Sequence, residues 1–105
     1  MEAKVFSEIA RYQADKHVHV PVFNSERTKV LLLCLSPGLG VPPHSHPGFD
    51  VTLQPLLGKA VLPGQGGQEL VLEPGRLYFA EGTESFNPTN PYAEPFQMLI
   101  HLVKR

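Results

Sequence analysis

Short apolar runs bounded by turn residues recur along most of this chain, and in residues 16–23 and 50–57 apolar and polar positions alternate with a period of two. Only the beginning differs. Val5, Phe6, Ile9 and Tyr12 recur at helical spacing, so residues 2 to 13 are expected to form a short helix or a loosely held arm. Lys16 to Phe23 alternates cleanly, with Val18, Val20 and Val22 on one face and His17 and His19 on the other. That pattern predicts a half-buried strand whose two histidines face solvent. Thr28 to Leu35 is a dense apolar strand. In Asp50 to Leu57, Thr52 and Gln54 share the face of Asp50, while Val51 and Leu53 take the other. Lys59 to Leu62 and Glu69 to Leu72 read as a hairpin around Pro63-Gly64-Gln65-Gly66-Gly67. Leu77 to Ala80 and Phe96 to Val103 supply two more strands, and Asn87 to Pro95, without periodicity, reads as a loop at a barrel mouth. About eight strands at close spacing predict an all-β closed or double-sheet barrel. No repeat or linker divides the chain, so a single domain over residues 1–105 is expected.

Composition narrows this picture. Glycine and proline together make 20 of 105 residues, which suits many strands joined by tight turns. Charged residues are 18%, below the average of about 25%. So few charges, beside apolar pairs such as Val51 with Leu53 and Val18 with Val20, exceed what one small core hides, and a homodimer is expected. The formal net charge is -1 and the basic residues form no stripe, which gives no electrostatic case for nucleic acid or an anionic membrane. No apolar run approaches the roughly 20 residues that span a bilayer. The N-terminal residues show no signal pattern, and the lone Cys34, inside an apolar run, reads as a buried thiol. These features lead to the expectation of a cytoplasmic protein.

The chemistry concentrates in Pro42-Pro43-His44-Ser45-His46-Pro47-Gly48-Phe49-Asp50. In an extended segment His44, His46 and Asp50 share one parity and can face one interior. Two imidazoles and a carboxylate converging on one point suit a divalent transition metal. The flanking prolines argue against a helix, in which an i, i+2 pair would diverge.

Gly38, five residues, His44-x-His46, three residues, Asp50 and then Gly58 resemble the first motif of the cupins, and Glu73 to Gly82 resembles the opening of their second. The resemblance covers about residues 28–103, leaving an N-terminal arm and first strand in residues 1–27. It implies a double-stranded β-helix, or jelly roll, and a metal held by His44, His46 and Asp50: iron, manganese, nickel or zinc. This chain departs from the family pattern in three places. The family's Glu is Asp50, and six residues back from Gly58 falls on Val51, so an extra residue is expected near Gln54-Pro55. The family's third histidine falls on Ser85. The family's asparagine falls on Thr89. With three good ligands at most, weak metal binding is expected. His101, Gln54, Ser85 and Phe49 are the further candidates for a ligand or a pocket wall. Two functions remain open at this point. One is a metal-dependent small-molecule enzyme of the oxygenase or isomerase type. The other is a small-ligand-binding or sensing cupin whose metal site has decayed.

Overall fold

The computed structural model describes residues 1–63 and 68–105. Seven strands follow one helical turn: α1 (Phe6–Ile9), β1 (Val18–Asn24), β2 (Thr28–Leu35), β3 (Phe49–Leu57), β4 (Ala60–Pro63), β5 (Glu69–Leu72), β6 (Tyr78–Glu81) and β7 (Phe96–Lys104). The helix of the first segment is only four residues long, consistent with the absence of a side-chain cap at Val5. β4 and β5 pair antiparallel as expected, but the loop joining them, predicted at residues 63–67, lies largely outside the described residues.

A five-stranded antiparallel sheet runs β1-β2-β7-β3-β6. The second sheet starts from β5-β4 and extends through isolated pairs: Val61 with Thr89, Thr89 with Gly40, and His44 with Phe86. The 87–95 segment is therefore partly a strand of this sheet. Asn90, almost wholly buried, pins it, donating to the carbonyls of Leu35 and Glu94 and accepting from the Tyr92 amide.

Between the sheets lies the main core, with Leu33, Leu35, Val51, Leu53, Phe86, Phe96, Met98 and Ile100 at its centre. The alternation along β2 and β7 explains it, because odd positions of β2 and even positions of β7 point inward. A smaller core lies on the outer face of the large sheet, where Phe6, Ile9 and Ala10 cover Val22, Leu32, Cys34 and Leu99. The large sheet is thus buried on both faces along β2. Cys34 is buried, as its apolar neighbours predict. Among the described residues no helix is long and apolar enough to cross a membrane.

Candidate functional site

β1 and the 40–46 segment are the free edges of the two sheets on one side of the barrel, and four of the five histidines line the seam between them. His19 pairs with Leu33, whose side chain belongs to the main core, so His19 points to the barrel side. Val18 and Val20 pair with Cys34 and Leu32 and sit under the N-terminal arm. The expectation of solvent-facing His17 and His19 is therefore corrected. Alternation shows that β1 has two unlike faces, but it does not show that the arm, and not the barrel, buries the valines.

The rings follow one another edge-on. His17 and His19 are 5.1 Å apart between ring centres, His19 and His44 6.5 Å, and His44 and His46 5.0 Å. The Phe86 ring closes the inner side at 4.8 Å from His44 and 5.9 Å from His46. Pro42 and Pro43 keep the approach extended. His44 and Phe86 exchange both main-chain hydrogen bonds, and the His46 amide donates to the Gly82 carbonyl at 2.7 Å. The Gly82 amide returns a bond to the Phe49 carbonyl at 2.8 Å. A Cβ at Gly82 would collide with the carbonyl oxygens of His46 and Phe49, so only glycine lets the 46–49 turn lie this close.

The hydrogen bonds show which ring nitrogens lack a protein partner. His44 Nδ1 lies 3.0 Å from the Pro42 carbonyl. A carbonyl only accepts, so Nδ1 carries the proton and the Nε2 lone pair is free, the tautomer of a metal-bound imidazole. His46 Nε2 is buried and has no hydrogen-bond partner. Burial, then the neighbouring charges of His17, His44 and His46, push His19 down from 6.5 to about 4. Burial, then His44 and Lys29, also lowers His46. Both are therefore neutral near pH 7. His17, His19, His44, Val41, Pro42 and Pro43 line a cleft of about 230 Å³ in the same seam.

Asp50 is not in this group. It pairs with Glu81 and Val103 on the outer face of the sheet and lies 3.2 Å from Arg105 Nε. That contact is an ion pair by distance, yet Asp50 Oδ1 makes no hydrogen bond, so its angle is poor. The inward residue is Val51, fully buried in the main core. The extra residue expected near Gln54-Pro55 is present, as a register shift between Pro55 and Leu57. Pairing from Phe49 to Pro55 is unbroken, so the bulge comes too late to turn Asp50 inward. Thr52 and Gln54 share the outer face, opposite His101 and Leu99, so His101 too lies outside the barrel. Ser85 lines a separate apolar cavity of about 170 Å³ with Leu53, Leu62, Tyr78 and Phe86. Phe86, not Ser85, stands across from His44. Phe49 packs against the main core, with Lys29 Nζ 5.9 Å from its ring centre.

These positions decide what a metal would find. With a bond of about 2.1 Å, a metal sits about 3.2 Å from an imidazole centre, so two ligands at tetrahedral angles have centres about 5.2 Å apart. The His44–His46 spacing of 5.0 Å is close to that value. The four-ligand set of the family pattern does not fit, because Val51 and Phe86 occupy the inward positions. As the rings stand, no three His, Cys, Asp or Glu side chains among the described residues converge on one ion.

No protein-family model matches the chain, and no curated protein matches it. Among solved structures, TT1209 of Thermus thermophilus is 34% identical, with a TM-score of 0.88 over 100% of this chain and 99% of that one. A double-stranded β-helix protein of Klebsiella pneumoniae is 20% identical, with a TM-score of 0.88 over 97% of this chain and 84% of that one. An RmlC-like cupin of Desulfovibrio desulfuricans is 19% identical, with a TM-score of 0.86 over 98% and 96%. This chain has the cupin fold, a double-stranded β-helix. The cupin barrel explains the placement of the His44-x-His46 pair at a sheet edge facing the interior. It does not account for His17 and His19, which sit outside the family motif. A signal for them was present in the sequence: two separate His-x-His pairs hold four of the five histidines.

Proposed function

We propose that this cupin binds a divalent late transition metal, nickel or zinc, through His44 and His46, and holds a small molecule in the seam beside it. The observation that carries this is His46 Nε2, buried without a partner, 5.0 Å ring to ring from an imidazole whose free lone pair is fixed by Pro42. A buried polar atom without a partner costs about 1–3 kcal/mol, which a metal bond recovers. Imidazole donors without a carboxylate favour the later metals over manganese. With two protein ligands the ion keeps open positions for water or an exogenous donor, and it would act as a Lewis acid on an oxygen bound there. Among the described residues no carboxylate lines the cleft of His17, His19 and His44, so binding or sensing is the role this geometry supports best.

A second reading has its own support. Val51 and Phe86 fill the inward positions with apolar side chains, as in a cupin whose metal site has decayed and whose histidines hydrogen-bond a ligand directly. Calorimetric titration with zinc and nickel at neutral pH separates the two. The metal reading expects one ion per chain for the wild type and none for His46→Ala. A wild type that stays metal-free in excess zinc and nickel leaves only the second reading.

A further inference from the structure

We propose that the barrel has a second ligand site, at the seam away from the histidines, which takes a small neutral aromatic molecule of one ring. β6 ends the large sheet and β5 ends the small one, and the cavity of about 170 Å³ lies where these two edges meet. The site does not depend on the reading of His44 and His46 as metal ligands.

The sequence leaves the space. β6 runs antiparallel beside β3, with Tyr78 opposite Leu53 and Ala80 opposite Val51, so Tyr78 and Ala80 face the main core and Phe79 faces out. Of the two inward side chains Ala80 is the short one, and the room beside it stays open between Leu53, Leu62 and Phe86. Leu53 and Phe86, both buried, form its floor. The Tyr78 hydroxyl donates to the Val71 carbonyl of β5 at 2.8 Å and accepts from the Glu73 amide at 3.3 Å, so it ties the two edges together. The cavity therefore stands open without a rearrangement.

Size and lining set the class of ligand. An apolar cavity of about 150 Å³ holds a benzene-sized molecule, so one of about 170 Å³ takes a single ring and little more. The rings of Tyr78, Phe79 and Phe86 line it and favour an aromatic guest through edge-on and offset contacts. Glu84 and Ser85, both exposed, stand at its lip. Glu84 Oε2 accepts from the Glu81 amide at 3.1 Å, which holds a carboxylate beside the opening and disfavours an anionic guest. The Ser85 hydroxyl can donate to or accept from one polar substituent. A phenol meets all three conditions. Its ring would also cover part of Leu70 and Phe79, the exposed apolar residues of the lip.

Phenol itself is the probe, read through the methyl resonances of the protein in nuclear magnetic resonance spectra. The expected result is a saturable shift confined to the methyl groups of Leu53, Leu62, Leu70 and Ala80, with half-saturation at about 1 mM or below. Benzoate, the same ring with a carboxylate, is expected to bind about tenfold more weakly or worse. Ser85→Ala should weaken phenol by about threefold to tenfold and leave benzene unchanged. Ala80→Leu, which fills the cavity, should abolish the shifts at Leu53 and Leu62. The same spectra show whether each variant is folded, and the wild-type titration and the benzoate comparison stand without either variant. No saturable shift in the wild type, or unchanged binding in folded Ala80→Leu, overturns the site. Benzoate bound as tightly as phenol overturns the ligand class. Shifts that vanish as protein concentration rises mean that a second copy fills the cavity, which also overturns the proposal. None of these outcomes touches the metal reading, which titration with zinc and nickel tests separately.

Discussion

At the scale of single residues, the site turns on which neighbour of a pair points inward. Asp50 and Val51 differ by one position, and the sheet gives the interior to the valine. Ser85 and Phe86 differ by one position, and the residue across from His44 is the phenylalanine. The family pattern was legible in the sequence, but the parity was not, because one residue of register exchanges every side chain between faces. This makes two substitutions informative. Ser85→His is expected to leave metal affinity unchanged. Phe86→His should raise it by adding a donor beside His44 and His46, while lowering stability by about 3 kcal/mol through loss of a buried ring. Metal titration and chemical denaturation of the two variants check this. A gain from Ser85→His would mean that the 85–86 segment lies one residue away from its position in this structure.

At the scale of elements, the strands were legible and their partners were not. The apolar runs at residues 28–35, 50–57 and 96–103 mark β2, β3 and β7 to within a residue at each end. The segment around Thr89, with no alternation to mark it, is part of the second sheet because main-chain bonds to Val61 and Gly40 recruit it. The histidine turn depends on such bonds as well. Gly82→Ala is expected to push the 46–49 turn outward and weaken metal binding by at least as much as it lowers stability, since the added methyl group meets two carbonyls and not a flexible side chain. A variant with normal affinity would show that His46 does not need this turn. On the opposite side of the barrel, β6 is the open edge of the large sheet, and Leu77 and Phe79 there are each 68% exposed. Apolar edges invite pairing. We propose that a second copy of the chain covers this edge, so light scattering should give a dimer, and Phe79→Lys a monomer. A monomeric wild type at micromolar concentration rules this out.

At the scale of the whole molecule, neutral histidines in the seam link stability to acidity. His19 titrates near 4 in the folded chain and near 6.5 once unfolded. As pH falls between these values the unfolded chain binds the proton first, so its contribution to stability is full above about 6.5 and is lost towards about 4. The melting temperature of the metal-free protein should fall from pH 7 to pH 5, and His19→Gln should flatten that slope. An equal slope in the variant would assign the loss to other groups. The arm of residues 1–13 has a different use. It is tied down by the Ser36 hydroxyl, which donates to the Gln13 carbonyl at 2.7 Å, and by the packing of Phe6 and Ile9 over Cys34. The only thiol in the chain is sealed by the least regular segment, and burial raises its pKa, so it reacts only when that cover lifts. The rate at which a thiol reagent labels native Cys34 therefore clocks detachment of the arm, a built-in stopwatch that needs no introduced probe.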